Sequence, residues 1–186
     1  MTKDSKEALI LIDIQNDYFA HGTMALQGSF EASICAGRLL NKFRALKNTV
    51  IHVQHLATRP SATFFLPDTR GAEIHENVKP MIDEKVIVKH YPNSFIGTEH
   101  YELLTQEKIE KVVICGMMTH MCVDATVRAA KDYGFNVAVI SDACATKDLI
   151  FNQKTVKATE IQSSFMAAFS YYYAEVVTSE EFINHH

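Results

Sequence analysis

The chain has 186 residues, 47% of them hydrophobic and 22% charged, with a formal net charge of −4. This is enough apolar material for a real core and fits one soluble domain spanning residues 1–186. No run of like charge is long and no apolar stretch approaches a membrane span, so nothing supports binding to nucleic acid or a membrane.

The start, MTKDSKEALILI, passes from polar residues straight into a short apolar run. It lacks the basic region, long apolar segment and cleavage site of a secretory signal. The four cysteines, Cys35, Cys115, Cys122 and Cys144, form no CxxC pair. Both features point to a cytoplasmic protein with reduced thiols.

Residues Glu7 to Ile14 are almost continuously apolar and too few for a typical helix. They read as a central parallel strand buried on both faces. Glu31 to Lys47 follows as an amphipathic helix, with Ile34, Leu39, Leu40, Phe43 and Leu46 on its apolar side. Thr49 to Gln54 is a second strand. The stretch from His55 to Pro80 is irregular and holds Arg59, Phe64, Phe65 and His75. An irregular segment of that length is usually functional, disordered or an interface. Lys85 to Lys89 is a third strand, His100 to Gln106 a short helix, and Lys111 to Cys115 a fourth strand. A turn at Gly116 leads into a helix whose first turn carries Cys122. Asn136 to Ile140 is a fifth strand, Thr155 to Ala174 a long helix, and Glu175 to Val177 a short sixth strand.

Strands alternating with helices predict a parallel sheet between helix layers, with its site beyond the carboxyl ends of the strands. Asp13, Lys89 and Cys122 fall at such ends. A thiol attacks as its thiolate, which a helix start and an ammonium both favour. Lys89 offers that cation, and Asp13 can act as general base and then general acid. Backbone amides between Gly116 and Cys122 can hold an oxyanion. The set suits acyl transfer to a cysteine. Taken one at a time, the same residues read as a core cysteine, a turn aspartate and a solvated lysine.

Four segments carry a resemblance: LILIDIQNDYF, GAEIH with VIVKHYPNSFIGT, CGMMTHMCVDATVRAA, and SDACAT. In this order they resemble the isochorismatase-like cysteine hydrolase superfamily, which includes nicotinamidases, N-carbamoylsarcosine amidase and streptothricin hydrolase. The resemblance runs from about Ala8 to Val177. It implies a Rossmann-like three-layer α/β/α sandwich with a mainly parallel sheet of about six strands. It implies a catalytic triad of Asp13, Lys89 and Cys122, with a cis peptide at Met117–Met118. The amides of Met118 and Cys122 would then form the oxyanion hole, and Thr119 would support the turn. A homo-oligomer is also implied.

The chain departs from nicotinamidases where their metal ligands would stand. His55 replaces the aspartate and Ala57 the histidine, and His52 and His55 read as one core and one loop histidine. No metal and no cofactor are therefore expected, and no GxGxxG or GxxxxGK[ST] is present. Asn16, Phe19, His55, Phe64, Phe65, Tyr91, Phe95 and His120 are candidates for the wall of a small-molecule pocket. Retention of Cys122 favours cleavage of an amide or ureide C–N bond. Vinyl-ether hydrolysis of the isochorismatase type is the alternative, and a non-catalytic thiol sensor or binding module is a third.

Overall fold

The computed structural model describes residues 6–185. Strand β1 (Glu7–Ile12) leads through a short turn into helix α1 (Ser29–Leu46) and strand β2 (Thr49–His55). Strand β3 (Lys85–Lys89), helix α2 (His100–Gln106) and strand β4 (Lys111–Met117) follow. A π turn, Thr119–Val123, precedes helix α3 (Asp124–Asp132) and strand β5 (Asn136–Ala145). Strands β6 (Leu149–Phe151) and β7 (Lys154–Val156) form an antiparallel hairpin. Helix α4 (Ala158–Ala168), strand β8 (Glu175–Val177) and helix α5 (Ser179–His185) complete the described residues.

Six strands form one sheet in the order β3-β2-β1-β4-β5-β8, and every neighbouring pair is parallel. Ala8 to Ile12 are all buried, with odd and even positions alike, because helices cover both faces of the centre. Helices α1 and α5 pack on each other and on the sheet, and α3 also packs on β5. The strand order reverses between β1 and β4, since β1 continues outward to β2 while β4 continues the other way. In such sheets the crevice at that reversal is the usual binding position.

Several boundaries differ from the sequence expectation. In α1 the buried stripe is Ala32, Ala36, Leu39, Leu40 and Phe43, whereas Ile34 and Leu46 are exposed. Small residues let the helix lie close to the sheet, and the larger pair falls just outside the contact. Strand β5 runs on to Ala145 because Cys144 and Ala145 pair with Gly116 and Met117 past a register shift. The expected long helix from Thr155 starts instead at Ala158, since Thr155 and Val156 are β-branched and belong to the hairpin. The hairpin and α5 had no clear periodicity in the sequence.

Gly116 sits with φ of 132°, and a Cβ there would collide with the carbonyl oxygen of Ile12. Only glycine lets β4 approach β1 this closely before the chain turns.

His100 is fully buried, stacks on Phe95 at 4.5 Å, and accepts or donates at Nδ1 to Ser94 Oγ at 2.9 Å. Its Nε2 has no partner. Burial holds its imidazole down at about 4. The unfolded chain therefore takes up this proton near the ordinary 6.5, before the folded protein does. Stability should fall as pH drops from about 6.5 towards 4, by about 1.4 kcal/mol per pH unit for this group. Urea titrations across that window should show the loss, with a shallower slope in His100→Gln. An identical slope in the variant would refute the assignment.

Candidate active site

Asp13 follows β1 directly and has a left-handed φ of 50°, a region that Asp tolerates better than most residues. Its amide donates to Val53 O at 3.0 Å, which fixes it against β2. Lys89 closes β3 and lies in register beside His55, the last residue of β2. Ile12 lies in register beside Gly116 of β4. These registers bring together side chains that are far apart in sequence. Lys89 Nζ donates to Asp13 Oδ2 at 2.7 Å, and both side chains are fully buried. Lys89 Nζ also lies 2.9 Å from His55 Nδ1. A carboxylate oxygen of Asp13, a ring nitrogen of His55 and Cys122 Sγ all lie within 4.8 Å of one another. Asp13 Oδ1 is buried and has no partner.

The electrostatics follow from burial and from this pairing. Burial works against the Lys89 ammonium, but Asp13 and then Cys122 outweigh it, so its pKa is raised. Burial, and then Lys89, push His55 down to about 4, which leaves a neutral imidazole able to accept from Lys89. Burial and then Asp13 push the Cys122 thiol well up, against the pull of Lys89. The free site thus holds an ionised Asp13–Lys89 pair beside a protonated thiol. Placement before a helix does not by itself yield a thiolate here, because the thiol is almost sealed from water and faces a carboxylate.

Cys122 lies in the π turn, one wide turn ahead of α3 proper. The Met117–Met118 peptide that enters this turn is cis. Met118 O accepts from the amides of Met121 and Val123, at 3.0 and 3.3 Å. Thr119 Oγ1 lies 2.6 Å from Gln162 Oε1 and 3.3 Å from Ala145 O. Gln162 Nε2 donates to Ser141 O at 3.0 Å. One amide from α4 thus ties the Cys122 turn to the end of β5.

The long segment after β2 is ordered by two buried side chains of the first turn. Gln15 Nε2 donates to His55 O at 2.9 Å and Ala72 O at 2.7 Å, while its Oε1 accepts from His55 N at 2.8 Å. Asp17 Oδ2 accepts from Phe65 N at 2.6 Å, and Oδ1 from Thr23 Oγ1 at 2.9 Å. A Cβ on Gly71 would strike the Asp17 carboxyl group. Gln15, Asp17, Tyr18 and Gln162 did not stand out in the sequence. The first three lie beside Asp13 in the stretch DIQNDYF, where polar residues directly after a buried strand were the available signal.

The pocket candidates separate into groups. Phe64 and Phe65 meet Tyr18, with ring centroids 5.9 and 4.6 Å away, and Phe65 lies 5.9 Å from the His55 ring. Of these four rings, His55 meets the cluster directly, through Lys89. Phe19 stacks on His75 at 3.7 Å and, with Asn16 and Arg70, lines a cavity of about 570 Å³. None of Asp13, Lys89 and Cys122 lines that cavity, so its size carries no chemistry. Phe95 packs between His100 and Tyr133. Tyr91 is 56% exposed. His120 Nδ1 pairs with Thr146 Oγ1, just past the end of β5.

The donor set near Cys122 has the spacing of a metal site. Asp13, His55 and Cys122 are close enough to share an ion. However, the Lys89 ammonium already occupies Asp13 Oδ2 and His55 Nδ1, and a divalent cation there would meet that charge. His52 points elsewhere and pairs with Glu84 at 3.0 Å. The residues do not fit a resident metal.

A parallel α/β sheet with a buried thiol, carboxylate and ammonium at its reversal point has the architecture of a hydrolase. The family model for the isochorismatase domain matches residues 7–181, and the chain belongs to the isochorismatase family of hydrolases. The isochorismatase family protein YddQ of Bacillus subtilis (strain 168) is 48% identical over 176 residues, covering 95% of this chain and 98% of its own. Streptothricin hydrolase of Streptomyces noursei is 34% identical over 143 residues, 77% of this chain and 56% of its own. The crystal structure of a candidate isochorismatase hydrolase from Oleispira antarctica superposes with a TM-score of 0.93 at 45% identity, covering 99% of both chains. Among the described residues no helix is long and apolar enough to cross a membrane.

Proposed function

We propose that this protein is a cysteine hydrolase that cleaves the C–N bond of a small amide or ureide through an acyl-enzyme on Cys122. The observation that carries the reading is the buried Asp13–Lys89 pair, 2.7 Å apart, placed beside the Cys122 thiol. The likeness to streptothricin hydrolase supports hydrolysis as the reaction type.

The thiol starts protonated, so attack and deprotonation are coupled. Cys122 Sγ bonds to the substrate carbonyl carbon as its proton passes to Asp13 Oδ1, the carboxylate oxygen left without a partner. The amides of Met118 and Cys122 hold the resulting oxyanion. Collapse breaks the C–N bond, and Asp13 returns the proton to the departing amine. Water then attacks the thioester with Asp13 again as base, releasing the acid and restoring the thiol. Lys89 stays charged throughout. It holds Asp13 in place and offsets the negative charge that builds beside it. His55, neutral at working pH, keeps Lys89 Nζ fixed from the other side. The reading carries with it a cytoplasmic homo-oligomer acting without a cofactor.

The test is a panel of small amides and ureides, with isochorismate alongside, followed by intact-protein and peptide mass spectrometry. An acyl adduct should appear on Cys122 with any amide that turns over. Turnover of an amide with no adduct on Cys122, even after rapid acid quenching, would overturn the proposal.

A further inference from the structure

Gln162 stands on α4 and is only half-buried, yet its side chain makes three hydrogen bonds beside the Cys122 turn. Ser141 O and Cys144 O are carbonyls and can only accept, so they fix the amide with Nε2 towards them, at 3.0 and 3.5 Å. Oε1 then faces the Thr119 hydroxyl, 2.6 Å away. Thr119 Oγ1 has a second acceptor within reach, Ala145 O at 3.3 Å, but only one hydrogen to give. The shorter contact takes it, so Gln162 decides which way the hydroxyl points. Thr119 is fully buried and opens the π turn, directly after Met118 and three residues before Cys122. Cys144 and Ala145 lie in register beside Gly116 and Met117, the last residues of β4. One side chain of α4 therefore grips both the first residue of the turn and the strand that flanks its start. Helix α4 packs on the turn a second time through Phe165, whose ring lies 6.4 Å from that of His120.

We propose that Gln162 is a positioning residue: through Thr119 it aims the amides of Met118 and Cys122 at the oxyanion, and so governs attack on a carbonyl without touching the substrate. This rests on the reading of Cys122 as the acylated residue. Oxyanion donors work only where they already point at the developing charge, and small displacements that start far from the chemistry are costly. Without Gln162 the hydroxyl would turn to Ala145 O, which keeps it satisfied and draws the turn towards β5. The fold survives that change, and the amides lose their aim. The Asp13–Lys89 pair belongs to the ends of β1 and β3 and is untouched.

The experiment compares two reagents for Cys122. The ester p-nitrophenyl acetate acylates it through an oxyanion. Methyl methanethiolsulfonate instead transfers its methylthio group: the Cys122 sulfur bonds to the methylthio sulfur, methanesulfinate leaves, and no carbonyl oxygen gains charge. Rates are followed by nitrophenolate release and by intact-protein mass, with those of Cys122→Ala subtracted. Gln162→Met keeps the length of the side chain and loses its hydrogen bonds. In this variant acylation should be about tenfold slower and methylthiolation unchanged. Equal slowing of both reactions, or acylation at the wild-type rate, would overturn the proposal.

A second set of variants checks that the effect passes through Thr119. Thr119→Ser keeps the hydroxyl and should acylate like the wild type, whereas Thr119→Val should match Gln162→Met. The double variant Thr119→Val/Gln162→Met should be no slower than either single one, since both break the same link. Losses that multiply would overturn the route through Thr119. Where Thr119→Val does not fold, Gln162→Met alone decides. A wild-type protein that is acylated no faster than Gln162→Met refutes the role of Gln162 and leaves the cysteine mechanism standing. A wild-type protein that takes up the methylthio group but no acetyl group on Cys122 refutes both.

Discussion

Cys122→Ala is expected to lower amide turnover by a factor on the order of 10⁴ to 10⁶, the scale seen when a catalytic nucleophile is removed. The loss should appear in kcat, since the oxyanion donors are backbone groups that the substitution leaves in place. Folding should be almost unaffected. The side chain is small and 6% exposed, and its removal leaves the Asp13–Lys89 pair intact. Kinetics on the best amide from the panel, with thermal denaturation beside it, measure both quantities. Near wild-type activity in Cys122→Ala would remove the cysteine mechanism. Activity on isochorismate that survives the substitution, in a protein inert to amides, would point to ether hydrolysis with Asp13 as the acid.

Asp13→Asn should abolish activity and also destabilise the fold, and the second effect separates it from Cys122→Ala. Asparagine tolerates the left-handed backbone at this position, so the change is mainly one of charge. Without the carboxylate, the fully buried Lys89 ammonium is left with only uncharged neighbours of this site, the His55 imidazole and the Cys122 thiol. Breaking one side of a buried ion pair costs about 3–5 kcal/mol. The cost should shrink as pH rises, because Lys89 can then shed its proton. The double variant Asp13→Asn/Lys89→Met should regain most of the stability and none of the activity, since it leaves no buried charge alone. Urea denaturation of the four proteins closes the cycle. Additive losses in the double variant would show that the pair is not energetically coupled and would weaken the electrostatic account of the site.

The local chemistry of the chain was legible from its residues. Continuous apolar runs announced β1 and β4 as buried parallel strands, and alternation with helices announced the sheet. The resemblance drew Asp13, Lys89 and Cys122 out of many similar residues. Element ends were less legible. Ile34 fits the helical stripe of α1 but lies just off the contact face, and Thr155 and Val156 went to a hairpin whose turn is set by Asn152 and Gln153 at positive φ.

Whatever depends on distance came from the tertiary structure. Period and propensity are properties of neighbours along the chain, so they say nothing of which strand ends meet. The order β3-β2-β1-β4-β5-β8 put Asp13 and Cys122 on either side of the reversal, and the His55–Lys89 register placed a neutral imidazole against the ammonium. Burial decided protonation: it holds Cys122 as a thiol where a helix start and an ammonium had pointed to a thiolate. Burial also singled out Lys89. In the sequence it was a lysine at a strand end, and in the fold it became a fully buried ammonium against Asp13, because only packing decides whether a charged group can still reach water.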